Sequence, residues 1–121
     1  MSSPIILIVE DEYLIRLTLA EALVEDGFDV LEAASGDEAL IVMQQHSGIG
    51  LLLTDVQLPG QVDGLALARA ARVRAPDLPV IFVTGRPEAL PAADLTERDG
   101  FIAKPYLPSE VCAAVRRLTG G

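Results

Sequence analysis

Four apolar runs in this chain each end abruptly in a polar or charged side chain, and this repetition restricts the fold more than any other feature. The clearest is Leu51 to Gly60, LLLTDVQLPG, where a continuous apolar stretch meets Asp55 and the chain breaks at Pro59-Gly60. An apolar run without alternation is what a strand covered on both faces looks like. Asp55 therefore sits where a buried strand leaves the core, and a carboxylate there is costly unless something nearby needs it. Ile5 to Val9 closes in Glu10, Asp11 and Glu12, Val80 to Val83 in Thr84-Gly85, and Phe101 to Ala103 in Lys104-Pro105.

Helical spacings lie between the runs. Leu14, Leu17, Ala20, Leu23 and Val24 fall on one face of a first helix that Gly27 stops. Phe28 to Ala33 (FDVLEA) alternates and reads as a half-exposed edge strand. Ser35 to Glu38 (SGDE) matches a capping box, the Ser35 oxygen capping a second helix and Glu38 reaching back. That helix runs through Ala39, Leu40, Val42 and Met43 and fades near Ser47-Gly48. A loop with Pro59, Gly60 and Gly64 leads to a third helix through Leu65, Leu67, Ala68, Ala71 and Arg72, stopped near Pro76. Gly85 to Asp99 holds Pro87 and Pro91 and a short apolar pattern (Ala89, Leu90, Leu95), which predicts a short or irregular fourth helix. Pro108 fits the first turn of a fifth helix, with Glu110 early and Arg116 and Arg117 late to suit its dipole. Strands alternating with helices imply βαβ units, a parallel sheet and the α/β class.

The totals narrow the function. The 121 residues suit one domain, 1–121. Eighteen acids against nine bases, for a net charge of −9, argue against a nucleic-acid surface, which needs clustered Lys and Arg. The single cysteine, Cys112, excludes an internal disulfide and a multi-cysteine metal site. No apolar stretch is long enough to span a bilayer. MSSPIILIVEDE lacks the basic start of a secretory signal. A cytoplasmic protein without a membrane partner is the expectation.

In a parallel sheet the residues just past the strands meet in a crevice at the carboxyl edge. This chain places Glu10, Asp11, Asp55, Thr84 and Lys104 there. Lys104 is the only lysine; every other base is an arginine. Carboxylates at close quarters repel, which raises their pKa values, and a divalent cation removes the conflict. Oxygen-only ligands, two or three of them from protein, suit Mg²⁺ better than Ca²⁺. A metal held by carboxylates, with an ammonium and a hydroxyl opposite, is equipment for phosphoryl transfer. Asp55 is the candidate nucleophile, giving an acyl phosphate.

VEDE at 9–12, LLLTDVQLPG at 51–60, FVTG at 82–85 and the Lys104-Pro105 pair resemble, as an ordered set, the receiver domain of bacterial response regulators. The resemblance covers essentially the whole chain. It implies a flavodoxin-like, doubly wound five-stranded parallel sheet in the order 2-1-3-4-5 with about five helices. It makes Asp55 the phosphoacceptor, acting with Thr84, which hydrogen-bonds the phosphoryl group, and Lys104, which pairs with it. Glu10 and Asp11 become the acidic pair, Asp11 a direct Mg²⁺ ligand and Glu10 acting through water, with the Gln57 carbonyl as a further protein ligand. Lys104 and Pro105 would be joined by a cis peptide, and Phe101 is the aromatic whose rotamer follows Thr84. The donor implied is a phosphohistidine on a histidine kinase or histidine phosphotransfer protein. The output implied is a downstream protein bound at the face of the fourth helix, fifth strand and fifth helix. Such a domain is a signalling phosphoacceptor that catalyses only its own phosphorylation and dephosphorylation. With Met1 at one end and a fifth helix at the other, the chain reads as a stand-alone regulator.

Several positions depart from the pattern. Glu10 stands where Asp is also frequent, and Phe101 where Tyr would bring a phenol, so a switch there is steric. Gly85 loosens the backbone after Thr84. FVTG resembles a subfamily whose motif reads Phe-Ala-Thr-Gly, with Val83 replacing Ala and Arg86 in the place of an aromatic or glycine. That likeness implies a mobile fourth helix and an atypical output surface. Glu12 reads as a solvated helix start, His46 as loop surface, Cys112 as core, and Arg116 and Arg117 as complements to a helix terminus.

Three other functions compete. A phosphorylation-independent interaction module with a vestigial site conflicts with an intact Asp11, Asp55, Thr84 and Lys104. A small-molecule aspartyl-phosphate hydrolase wants an acid two residues past the nucleophile, where Gln57 stands. A flavin carrier wants a phosphate loop where VEDEYL would repel one.

Overall fold

The computed structural model describes residues 4–86, 88, 90, 96 and 98–120. Its elements are β1 (Ile5–Val9), α1 (Tyr13–Glu25), β2 (Asp29–Ala33), α2 (Gly36–Gln45), β3 (Ile49–Asp55), α3 (Gly64–Arg74), β4 (Val80–Thr84), β5 (Asp99–Ala103) and α4 (Pro108–Thr119). The helix expected between Gly85 and Asp99 lies largely outside the described residues; α4 is the helix anticipated at Pro108. The strands form one sheet in the order β2-β1-β3-β4-β5, every pair parallel.

Alternate strand residues feed two cores, as the pleat requires. Ile6, Ile8, Leu51, Leu53, Ile81 and Val83 pack with residues of α1 and α4 on one face. Leu7, Val9, Leu52, Val80 and Phe82 pack with residues of α2 and α3 on the other. β3 and β5 both begin two residues before their uninterrupted apolar runs, at Ile49-Gly50 and Asp99-Gly100. Small or polar residues at those starts hide the strand from a hydrophobic reading.

The first helix corrects the sequence expectation. It buries Leu19, Ala20 and Leu23, with Ile15 packed against the same core. Leu14 and Val24 are instead 73% and 58% exposed. Its sequence, YLIRLTLAEALVE, is apolar nearly all round, so periodicity does not choose a face. Its end follows expectation: Gly27 takes φ +95°, the Gly27 N–H donates to the Val24 carbonyl and the Phe28 N–H to the Leu23 carbonyl. That double closure needs a left-handed residue, which glycine supplies without strain.

At α2 the Ser35 hydroxyl accepts the Glu38 N–H at 3.1 Å, while the Glu38 carboxylate reaches one residue further back, to the Ala34 N–H at 3.3 Å. α3 starts on a cap the sequence reading did not single out: Asp63 Oδ1 accepts the Ala66 N–H at 2.8 Å. Gly64, the first residue of α3, lies so close to β3 that a Cβ would fall 2.2 Å from the Asp55 carbonyl oxygen. Only glycine lets the third helix start directly under the acid at the end of the central strand. Arg116 of α4 forms an ion pair with Asp26 past the end of α1. It therefore links two helices instead of only serving its own terminus.

Candidate functional site

Register brings the strand ends together. Val9 pairs with Thr54, Asp55 with Val83, and Thr84 with Ala103. One step further along each strand stand Glu10, Thr84 and Lys104, so a single edge presents them around Asp55. Glu10, Asp55 and Thr84 are buried, whereas Asp11 is exposed. The site is thus a shallow crevice floored by buried polar groups and open on the Asp11 side.

Asp55 is held at both oxygens. Lys104 Nζ donates to Oδ2 at 2.7 Å, and the Gln57 N–H donates to Oδ1 at 3.3 Å. The Lys104 ammonium also lies 4.0 Å from Glu10 Oε1. Burial is the largest single influence and opposes its charge, but the hydrogen bond to Asp55 and the negative charge of Asp55, Glu10 and Asp11 together push its pKa up. The Glu10 carboxyl is pushed up to about 7. Burial is the main cause, reinforced by Asp11 and Asp55 and opposed by the Glu12 N–H and Lys104. The Glu12 N–H donates to Glu10 Oε2 at 3.0 Å.

Glu10, Asp11 and Asp55 each offer a carboxylate oxygen, all within 4.8 Å of one another. An all-oxygen donor set with one exposed member fits a hard divalent cation with room for water. The Thr84 hydroxyl accepts the Arg86 N–H at 3.0 Å, and the Thr84 carbonyl accepts the Lys104 N–H at 2.9 Å. The Lys104-Pro105 peptide is cis. Phe101 is 45% exposed on β5, its ring stacked on Phe82 with centroids 6.2 Å apart. Cys112 is buried and its thiol pushed up by that burial. His46 is exposed at the end of α2.

Two residues near this edge were not singled out from the sequence. Tyr106 is half-buried, its phenol pushed up to about 12 by burial and by the negative charge of Glu10 and Asp55. It helps line an apolar groove of about 590 Å³ with Leu14, Ile15 and Pro105. Its only signal was an aromatic placed just after Lys104-Pro105. Arg16 reaches from α1 to the end of β1, where its Nη1 donates to the Glu10 carbonyl at 2.8 Å. An arginine within a helix carries no local sequence signal for such a contact with the end of a strand.

Comparison with known proteins agrees with this geometry. The family model for the response regulator receiver domain matches residues 6–116. The chain is 38% identical over 120 residues to the aerobic respiration control protein ArcA of Escherichia coli K12, covering 98% of this chain and 49% of that protein. It is 36% identical over 119 residues to the sensor kinase CckA of Brucella abortus, covering 96% of this chain and 12% of the kinase. The chain therefore spans about half of one relative and a small part of the other. Among solved structures, the receiver domain of the hybrid histidine kinase CckA matches with a TM-score of 0.81 at 35% identity, covering 95% and 98% of the two chains. The response regulator TrrA of Thermotoga maritima, solved in complex with Mg²⁺-BeF, matches with a TM-score of 0.81 at 28% identity over 95% and 98%. From the matched residues, the strand order and the relatives together, the chain belongs to the receiver domain family of two-component response regulators.

Proposed function

We propose that this chain is a phosphorylation-controlled switch whose phosphoacceptor is Asp55. The observation that carries the reading is the Asp55 carboxylate, buried at a strand end, gripped by Lys104 and within reach of two more carboxylates. The donor is a phosphohistidine on a histidine kinase or histidine phosphotransfer protein. An Asp55 oxygen attacks phosphorus in line, the phosphorus–nitrogen bond breaks, and its electron pair leaves with the imidazole. Glu10, Asp11, Asp55 and the Gln57 carbonyl would hold Mg²⁺, with Glu10 acting through water. When bound, Mg²⁺ offsets the carboxylate repulsion and the charge on the transferred group. Lys104 already sits against Asp55 and supplies a second positive charge on that side.

The switch lies in Thr84. Its hydroxyl holds the Arg86 N–H, so turning toward a phosphoryl oxygen disturbs the start of the following loop. Phe101, half-exposed against Phe82, can then change rotamer and alter the face offered to a downstream protein. The chemistry acts on the protein itself, not on an outside substrate. Among the described residues no helix is long and apolar enough to cross a membrane.

Transfer from a ³²P-labelled phosphohistidine protein tests the reading. Label should move to the wild-type chain as an alkali-labile acyl phosphate and should not move to Asp55→Asn. Label retained by Asp55→Asn would overturn the assignment.

A further inference from the structure

We propose that Arg16 is a positioning residue that fixes the Glu10–Asp11 peptide, so that both carboxylates are presented together to a divalent cation. This role rests on the metal-site reading above. Arg16 is on α1, and its side chain is only 15% exposed. Nη1 donates to the Glu10 carbonyl at 2.8 Å, and Nε donates to Glu32 Oε1 of β2 at 3.1 Å. Its guanidinium carbon stands 5.5 Å from the centroid of the Tyr13 ring, and its backbone N–H donates to the Glu12 carbonyl at 3.0 Å. One planar group thus spans the end of β1, the edge strand and the start of α1. Lysine could not reproduce it, because a single ammonium lacks the rigid fork that aims two donors at two strands.

The bonded carbonyl matters because of which peptide it belongs to. Glu10 is fixed on its amide side by the sheet, its N–H donating to the Ala33 carbonyl at 3.1 Å. Arg16 fixes the next peptide, whose rotation would swing Asp11 relative to Glu10. Asp11 is the exposed member of the acidic group, and the turn leaves the sheet just before it. Among the described residues no hydrogen bond or ion pair joins Arg16 to a carboxylate of the cluster, so it acts through backbone placement. Partners of this kind that orient ligands change metal affinity by roughly 10- to 100-fold when removed.

The test is thermal unfolding of the unphosphorylated protein across a Mg²⁺ titration, for wild type, Arg16→Ala, Arg16→Lys and Glu32→Ala. Arg16→Ala should raise the Mg²⁺ concentration giving half the shift by about tenfold, with Arg16→Lys close behind. Glu32→Ala keeps Arg16 but removes its anchor, so a smaller rise in the same direction is expected; it also covers failure of Arg16→Ala to fold. Acetyl phosphate labelling at saturating Mg²⁺ should remain near the wild-type maximum. A merely structural Arg16 would lower the melting temperature and leave the Mg²⁺ midpoint where it was; that outcome, in Arg16→Ala or in Glu32→Ala, overturns the role. A wild-type chain with no Mg²⁺ response would instead remove the metal site itself, and this role with it.

Discussion

At the residue scale, burial divides the acids at the sheet edge. Glu10 is enclosed and its carboxyl is pushed up to about 7, while Asp11 faces solvent. Lys104 answers Asp55 directly, at 2.7 Å. Lys104→Arg should leave the fold intact but impair switching, because a planar fork does not replace a compact ammonium in that space. The readout is partner binding before and after phosphorylation; an unchanged difference would remove Lys104 from the switch. Gly64→Ala should cost about 1–3 kcal/mol and slow phosphorylation, since the added methyl meets the Asp55 carbonyl. Urea unfolding and an acetyl phosphate time course measure the two effects. Cys112 gives a third prediction. Its buried, raised thiol holds less thiolate at pH 8 than a free cysteine does, so a disulfide reagent should react slowly until denaturant opens the core. Most of these residues were legible because chemistry sits at strand ends. Gly64 was legible as a loop residue, but its contact with Asp55 depends on a helix arriving from elsewhere in the chain.

At the element scale, the strands were easier to read than the helices. A buried parallel strand writes itself as an apolar run, and β1, β3 and β4 do so. α1 does not reveal its inward face because apolar residues surround it, so Leu14 and Val24 were assigned to a core that Ile15, Leu19 and Leu23 occupy. β5 begins with Asp99, buried but charged. The reason lies in α3: Arg72 pairs with Asp99 and also donates to the Leu78 carbonyl at 3.0 Å. Asp99 further accepts the Thr96 N–H at 2.8 Å. This group ties α3 to the start of β5, and a pairing 27 residues apart leaves no local sequence signal. Removing one partner of a buried pair strands the other charge, at a cost of roughly 3–5 kcal/mol. Asp99→Ala should show that loss in urea unfolding; a change below about 1 kcal/mol would mean that water replaces the pair.

At the scale of the whole molecule, parallel connection is what converts separate strand ends into one site. Residues as distant as Glu10 and Lys104 become neighbours only because β1 and β5 point the same way and β3 and β4 stand between them. That much follows from alternation of strand and helix. The meeting of Lys104 with Asp55 follows from their places at strand ends, whereas the Arg16 contact behind Glu10 comes from packing and was not readable. Clustered carboxylates also make the folded state strained without a cation, so millimolar Mg²⁺ should raise the melting temperature and a chelator should reverse the gain. An unchanged melting temperature would count against a metal site at this edge. Mg²⁺-dependent phosphorylation of Asp55 can be read by intact-protein mass spectrometry after incubation with acetyl phosphate, with and without Mg²⁺, beside Asp55→Asn. One phosphoryl group should be gained by the wild type with Mg²⁺, and none without the metal or in the variant. An unmodified wild-type mass with Mg²⁺ present, or equal modification of Asp55→Asn, would contradict it.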